Sequence, residues 1–274
     1  MKYIKYIVMI FLGFLVVYGC VYFILKISLK NEIRRAYNGN HKAQLWLGNT
    51  YYHGWGVARN YDKALEWYLK AAEQDYANAQ YNAGSVYEHI YHDYPKALKW
   101  YQKAANHNHS NAQNSIGTMF LQGKGVTKDH QTAINWFQKA VEQGCANAQY
   151  NLAVMYQEGL GIAKNYEKAY QLNKKAAERD VANAQYNLGA AYYHGWGVAK
   201  NKRLALKWFE RSTKNSAELQ YKIGLMYQLG IGIAKEKNIS KAKKLYTKAA
   251  KQGHVCAKAR LEEIREGREP ALSN

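Results

Sequence analysis

Apolar residues recur along this chain with the spacing of amphipathic helices. Ala79, Ala83, Val86 and Tyr87 stand at positions i, i+4, i+7 and i+8, which places all four on one face of a helix. A second kind of stripe lies between copies of the first and carries aromatic residues among alanines. The alternation of the two stripes predicts paired helices along the chain. The first example of the second stripe consists of Ala64, Trp67, Tyr68, Ala71 and Ala72.

The dipeptide Ala-Gln marks the register of an internal repeat. Its successive starts are separated by 36, 33, 36, 36 and 35 residues when Leu219-Gln220 is taken as the sixth copy. Helix pairs of this length cannot bury their apolar faces alone, so they are expected to stack on their neighbours. The other copies are Ala43-Gln44, Ala79-Gln80, Ala112-Gln113, Ala148-Gln149 and Ala184-Gln185, and Ala257 begins a partial seventh.

The ends of the helices are marked as well. Most first helices are followed by a Gly-x-Gly loop such as Gly54-Trp55-Gly56, and glycine ends a helix because it enters the left-handed conformation without steric cost. Each second helix is predicted to begin at an Asn or Asp whose side-chain oxygen accepts hydrogen bonds from the first turn. These predicted N-caps are Asn60, Asp93, Asp129, Asn165, Asn201 and Asn238.

The segment AQYNLGAAYYHGWGVAK at residues 184–200 resembles the Sel1-like repeat, which is related to the tetratricopeptide repeat. The resemblance implies an all-α, right-handed α-solenoid whose first helices line a concave face. The second unit departs from the pattern, because it lacks the Gly-x-Gly loop before Asp93 and is shorter. The implied repeats cover 43–256 and divide as 43–78, 79–111, 112–147, 148–183, 184–218 and 219–256. Residues 257–267 are expected to form a capping helix, and 268–274 a tail.

An apolar run precedes the repeats. Residues 6–25 carry no charge, and lysines flank them on both sides. A helix of this length, rising 1.5 Å per residue, just crosses a hydrocarbon core of about 30 Å. We therefore expect residues 1–30 to form one transmembrane anchor, joined to the repeats by a spacer at 31–42.

Two other interpretations of this run stay open. A cleaved signal peptide would have a shorter apolar core and a small-x-small cleavage site. A lipoprotein signal is suggested by Val17-Tyr18-Gly19-Cys20, although the residues after Cys20 stay apolar. We expect the inner membrane of a bacterium, with the repeat domain on the periplasmic side. The positive-inside rule, applied to the basic residues that follow the run, would place that domain in the cytoplasm instead.

Composition narrows the class of protein. An apolar content of 48% with only 2 Pro excludes a disordered or Pro-rich chain, and 3 Cys cannot form a disulfide framework. The 39 Lys and Arg exceed the 20 Asp and Glu by 19 charges, and the excess extends through the repeats. Such a charge favours an acidic protein or peptide as the partner. Nucleic acid is not expected, because no reading module is recognisable.

Three sequence patterns could indicate a catalytic, nucleotide-binding or metal-binding site. The Gly-x-Gly loops lack the third glycine and the preceding strand of a nucleotide fingerprint. Ser240 and Lys243 match the S-x-x-K signature of β-lactam-binding enzymes, but no S-D-N or K-T-G accompanies them. His89 and His92 could present two metal ligands on one helical turn. We expect none of these to operate, and hence no catalysis, no cofactor and no metal.

The first helices offer a candidate binding face. In the related tetratricopeptide-like units, positions i, i+3, i+7 and i+10 of this helix project into the groove. Here they supply recurring Asn and Tyr, which suit contacts to a peptide main chain and to a protein surface. The alternative for the tyrosines is packing between neighbouring repeats. The predicted partner-binding residues are Asn78, Tyr81, Glu88, Asn147, Tyr150, Gln157, Asn183, Tyr186, Tyr193, Tyr221 and Gln228.

The sequence thus predicts a membrane-anchored scaffold that binds a protein or peptide in its concave groove, with basic residues adding attraction. Two alternatives remain: a hydrolase directed at the cell wall, of β-lactamase type, and a purely structural solenoid that associates with itself.

Overall fold

The computed structural model describes residues 30–214, 216–230 and 236–268, and their regular secondary structure is entirely α-helical. The described part of α1 covers residues 30–37. The following helices are α2 (His41–His53), α3 (Tyr61–Ala72), α4 (Ala77–His89), α5 (Tyr94–Asn106), α6 (Ser110–Gln122), α7 (His130–Glu142), α8 (Ala146–Glu158), α9 (Tyr166–Glu178), α10 (Ala182–His194), α11 (Lys202–Ser212), α12 (Ala217–Leu229), α13 (Ile239–Lys251) and α14 (Val255–Arg265).

The predicted membrane anchor at residues 6–25 lies outside the described residues. Within the described part of the chain, no helix combines the length and the apolar character that crossing a bilayer requires.

The helices form two compact units, residues 1–112 and 113–274. In the first unit, α2 packs on α3, α4 packs on α5, and α3 contacts α4. In the second unit the pairs are α8 with α9, α10 with α11 and α12 with α13, while α9 contacts α10 and α13 contacts α14. Even-numbered helices from α2 to α12 are therefore the first helices of the repeats, and odd-numbered helices from α3 to α13 are the second helices.

The predicted N-caps of the second helices are confirmed. The side chain of Asn60, for example, accepts a hydrogen bond from the backbone N–H of Lys63 at 2.9 Å. Glycine ends several first helices as predicted, with Gly54, Gly159 and Gly195 in the left-handed conformation. In the second repeat, where the Gly-x-Gly loop is missing, His92 takes a left-handed φ of 55° just before the N-cap.

The Gln of each Ala-Gln dipeptide is buried, as is Gln220 at the same position of the sixth repeat, and in four repeats its amide donates to a carbonyl at the end of the preceding helix. Gln185 Nε2 donates to the Ala177 carbonyl oxygen and to Asp180 Oδ1, both at 3.1 Å. Because buried polar groups are costly without partners, this Gln fixes how one repeat follows another. The buried glutamines at this repeat position are Gln44, Gln80, Gln113, Gln149, Gln185 and Gln220.

A glycine four residues after this Gln lets an aromatic ring of the second helix approach the first. A Cβ atom added to Gly189 would lie 2.9 Å from Phe209 Cδ1. Repeat four alone replaces both partners, with Ala153 at the glycine position and Asn173 at the aromatic position. The other pairs are Gly48 with Tyr68, Gly84 with Tyr101, Gly117 with Phe137 and Gly224 with Tyr246.

The Gly-x-Gly loops also contact the preceding repeat. A Cβ atom on Gly197 would clash with the Tyr166 carbonyl oxygen at the start of α9. Trp196 of this loop stacks between His194 and Tyr166, with ring centroids 4.4 and 5.6 Å away. The same sequence, YYHGWGVA, occurs at residues 51–58, where Trp55 stacks on His53 and is 57% exposed. The tryptophan of this loop is thus half-buried in the fifth repeat and exposed in the first repeat.

Candidate functional site

The predicted Asn residues of the first helices lie on the surface. Asn78 on α4, Asn147 on α8 and Asn183 on α10 are all exposed near the start of their helices. A side-chain amide offers donors and acceptors to a peptide main chain, so these positions are chemically suited to contact a partner.

The predicted Tyr residues are half-buried and also pack between repeats. Tyr81 stacks on His109 with ring centroids 4.8 Å apart, and Tyr221 stacks on His254 at 4.7 Å. Tyr186 meets the edge of Phe209 at 5.1 Å. Tyr150 packs against the buried cluster of α9 and α10, and burial raises the pKa of its hydroxyl. These tyrosines therefore serve the packing between repeats and leave part of each side chain accessible.

Two predicted binding residues are buried. Glu88 and Gln228 are 6% and 2% exposed, so their side chains are not accessible at the surface as the prediction requires. Glu88 Oε2 accepts a hydrogen bond from the Tyr101 hydroxyl at 2.8 Å, and Gln228 Oε1 accepts one from the Tyr246 hydroxyl at 2.7 Å. Both residues instead join the first helix of a repeat to its second helix.

The last two predicted positions lie at the ends of their helices and are half-buried. Gln157 Nε2 donates to Glu158 Oε1 at 3.0 Å. The Tyr193 ring meets the edge of the His194 ring at 4.8 Å.

A polar cavity of about 230 Å³ lies on the first helices of the first unit. Asn49 Oδ1 accepts hydrogen bonds from the Tyr68 hydroxyl at 2.8 Å and from Asn82 Nδ2 at 3.2 Å. Burial raises the pKa of the Tyr68 hydroxyl, which therefore stays protonated and acts as a donor. The complete lining is Asn49, Tyr52, His53, Tyr68, Asn82 and Ser85.

Sequence reasoning missed Asn49 and Asn82. A signal was present for Asn82, because Asn follows Tyr in three Gln-Tyr-Asn copies, at residues 80–82, 149–151 and 185–187. The second unit contains a related contact, in which Asn151 Nδ2 donates to Asn114 Oδ1 at 2.9 Å. These amides connect the first helices of neighbouring repeats within each unit.

Charge separates between the two kinds of helix. The six first helices, α2 to α12, contain two Lys and three Asp or Glu, whereas the six second helices, α3 to α13, contain eighteen Lys or Arg and six Asp or Glu. The expectation that basic residues assist binding on the first helices therefore does not fit their nearly neutral composition. A partner on that face meets amides and aromatic rings instead.

The residues considered for catalysis lie on the surface. Ser240 is in the first turn of α13, and Ser240 and Lys243 are both exposed. His89 and His92 are exposed at the end of α4 and in the turn that follows. Within the described residues, no three His, Cys, Asp or Glu side chains group closely enough to hold a metal ion.

The repeats resemble those of known proteins. A model of the Sel1 repeat matches the chain six times, at residues 41–76, 77–109, 110–145, 146–181, 182–216 and 217–254. The chain belongs to the Sel1 repeat family. Each matched segment begins two residues before the corresponding repeat start defined from the sequence.

Solved structures of Sel1 repeat proteins resemble the chain. A Sel1 repeat protein from Oxalobacter formigenes is 33% identical with a TM-score of 0.69, and the match covers 77% of this chain and 85% of that protein. A protective antigen of uropathogenic Escherichia coli with the same repeat fold is 32% identical with a TM-score of 0.67, covering 89% of this chain and 53% of the antigen.

Curated relatives match a shorter segment. Two components of the ERAD-associated E3 ubiquitin ligase of Arabidopsis thaliana, HRD3A and HRD3B, are 39% identical over 56 residues. That segment is 20% of this chain and only 8% and 9% of the two relatives.

Proposed function

We propose that this chain is a non-catalytic scaffold that binds a protein or peptide on the first helices of its Sel1 repeats. The observation that carries the proposal is the chemistry of that face, where exposed Asn amides stand beside half-buried Tyr rings. Tyr presents a large amphipathic surface that loses little conformational entropy on binding, and Asn can bond a peptide main chain. Membership in a family of stacked helical repeats, whose extended surfaces commonly bind other proteins, supports the same function.

In the first unit the proposed binding residues are Asn78 and Tyr81, together with the polar cavity around Asn49 and Asn82. In the second unit they are Asn147, Tyr150, Gln157, Asn183, Tyr186, Tyr193 and Tyr221. The family resemblance implies that this face is the concave side of a right-handed solenoid. A neutral, amide-rich surface favours an extended polypeptide as the occupant, held by main-chain hydrogen bonds.

The test compares exposed Asn residues on the two kinds of helix. Asn147→Arg combined with Asn183→Arg places two large charged side chains on the first helices. Asn106→Arg combined with Asn135→Arg makes the same change at exposed positions of α5 and α7. Affinity capture of the full chain from its native cells, followed by mass spectrometry, measures the partners retained.

We expect the first-helix variant to lose at least nine-tenths of a specifically enriched partner, and the second-helix variant to retain it. Equal retention by both variants would contradict the proposed surface. Equal loss by both would show that added charge alone disrupts binding.

We also propose that residues 6–25 anchor the chain in a bacterial inner membrane, with the repeats on the periplasmic side. The support is the length of the uncharged run and the lysines that flank it. Alkaline phosphatase fused after residue 274, which is active only outside the cytoplasm, is expected to be active. An inactive but stably produced fusion would place the repeats on the cytoplasmic side.

A further inference from the structure

The basic charge of the second helices is concentrated on α11 and α13. These two helices carry nine Lys or Arg and one carboxylate, Glu210. All nine basic side chains are exposed. Arg211 pairs with Asp180 at 2.7 Å, whereas no acidic side chain among the described residues pairs with the other eight. A surface of this kind is attractive to an anionic partner.

An apolar trough lies between the two helices. It has a volume of about 250 Å³, and its floor is formed by Ile223 and Tyr227 of α12 with Leu245 of α13. Lys241 and Lys244 stand along one side. The trough therefore joins an apolar floor to a basic wall.

The single carboxylate beside the trough is already engaged. The Tyr227 hydroxyl donates to Glu210 Oε1 at 3.3 Å. Burial, followed by the nearby Glu210 carboxylate, raises the pKa of this tyrosine to about 12, so it remains a donor at neutral pH. Lys241 lies over the Tyr227 ring, 4.9 Å from its centroid, and its ammonium group remains exposed.

The equivalent cleft of repeat four shows that the fold does not require the complete basic wall. That cleft, of about 490 Å³, keeps the apolar positions as Leu152, Tyr156 and Leu172. Lys168 keeps the register of Lys241, whereas Gln171 stands at the register of Lys244 and Glu167 at the register of Ser240. The apolar floor is thus a property of the repeat, and the concentration of positive charge belongs to the end of the chain.

We propose that the trough between α11 and α13 binds an acidic, extended segment of a partner protein. One apolar side chain of the segment enters the trough, and its Asp or Glu residues pair with Lys241, Lys244 and the basic side chains of α11. This surface is separate from the first-helix face, because it is built mainly on second helices.

The shape of the surface favours a peptide over a bilayer or a nucleic acid. The apolar floor lies between two helices, where a side chain can enter but a flat membrane surface cannot. Nucleic acids are commonly bound through exposed aromatic platforms on which bases stack, whereas Tyr227 is buried beneath Lys241.

The test selects random twelve-residue peptides on the full chain, purified in a mild detergent, and measures the affinity of the selected synthetic peptides by fluorescence anisotropy. Lys241→Glu with Lys244→Glu reverses the wall of the trough. Lys174→Glu with Lys175→Glu makes the same charge change on α9, and these side chains are also exposed. Lys241→Gln with Lys244→Gln removes the charge without reversing it.

We expect the selected peptides to be acidic and to contain an apolar residue. Reversal at the trough should weaken binding at least tenfold, neutralisation should weaken it to an intermediate degree, and the α9 control should change it less than twofold. The control is informative because salt screens charges beyond a Debye length of about 10 Å at 0.1 M.

Several outcomes would overturn the proposal. Selected peptides without acidic residues would show that charge complementarity does not determine binding. Equal weakening of peptide binding by the trough and α9 variants would indicate attraction by the overall positive charge and not by the trough. Tighter binding of phosphatidylglycerol vesicles or of a single-stranded oligonucleotide, lost in the trough variant, would assign the surface to a membrane or to nucleic acid.

All variants must keep the circular dichroism and melting temperature of the original chain, and the glutamine variant covers the case in which charge reversal alone disturbs folding.

Discussion

Among individual residues, the Gln of the Ala-Gln dipeptide has a role that only the structure reveals. The sequence shows only that this Gln recurs, because the repeat pattern does not reveal which groups its side-chain amide bonds. In the structure Gln44, Gln113 and Gln220 each accept a hydrogen bond from a Gln at the end of the second helix of the same repeat, at 2.7 to 2.8 Å. Gln44 and Gln220 also donate to the end of the preceding helix, so each of them connects three helix ends.

Replacing Gln185 by Ala should lower the free energy of unfolding by about 1–3 kcal/mol, because the hydrogen bonds from its amide to the Ala177 carbonyl and to the Asp180 carboxylate are lost. The measurement is urea unfolding followed by circular dichroism. Gln138→Ala, at an exposed position of α7, serves as the control and should change stability by less than about 0.5 kcal/mol. Equal effects would mean that Gln185 makes no special contribution.

Repeat four offers a test of the pairing between glycine and an aromatic residue. Asn173 is 2% exposed, and its Oδ1 has no hydrogen-bond partner among the described residues. Asn173→Phe alone should lower the free energy of unfolding, because the new ring would clash with the Ala153 methyl group. In the other repeats, a Cβ atom added to the glycine would clash with the facing aromatic ring in the same way. Combined with Ala153→Gly it should stabilise the chain, with a coupling energy of about 1 kcal/mol or more in a double-mutant cycle. Additive effects would contradict the pairing.

The N-cap Asp129 should give repeat three a dependence on pH. Its carboxylate accepts hydrogen bonds from the Thr132 hydroxyl and from backbone N–H groups, which lowers its pKa. Since the folded pKa lies below the ordinary value of about 4, the stabilisation is complete above that value and is lost as pH falls through the lowered pKa. Comparing unfolding free energies with those of Asp129→Asn, we expect the difference to shrink below about pH 4. A difference independent of pH would contradict this role.

At the scale of the element, the sequence predicted the paired helices, their N-caps and their glycine ends, because these follow from local patterns. The groove positions were predicted less well. At about 100° per residue, position i+7 returns to within about 20° of position i, whereas i+10 is rotated by about 80° toward the second helix. Burial follows this rotation, with Asn78 exposed, Tyr81 half-buried and Glu88 buried. The rule of positions i, i+3, i+7 and i+10 ignores this rotation about the helix axis, and it therefore included Glu88 and Gln228.

The two copies of YYHGWGVA provide a matched pair of elements. Trp196 stacks on rings on both faces, whereas Trp55 is 57% exposed. Trp196→Ala should therefore destabilise the chain by about 1–3 kcal/mol more than Trp55→Ala, since Trp196 has a second stacking partner, Tyr166, and is more buried. Thermal and urea unfolding measure the difference. Equal destabilisation would mean that the loop contributes nothing to the contact between repeats.

At the scale of the whole molecule, the net charge of +19 was known from the sequence, but its separation between two kinds of helix was not. Assigning each Lys to a face requires the helix boundaries and the burial of every position. The separation predicts two different salt dependences. Partner binding on the nearly neutral first helices should change little between low and high ionic strength, whereas peptide binding in the α11–α13 trough should weaken strongly. Affinities measured over a salt series check this, and similar slopes would contradict the separation.

The most direct test of a protein-binding first-helix face is photo-crosslinking in living cells. A photoreactive amino acid is placed at Asn78 or Asn183, and separately at Asn106 or Asn135 on the second helices. We expect the first-helix positions to capture one or a few defined proteins that the second-helix positions do not capture. If the first-helix positions capture no protein, or capture the same products as the second-helix positions, the chain does not use this face to bind a partner.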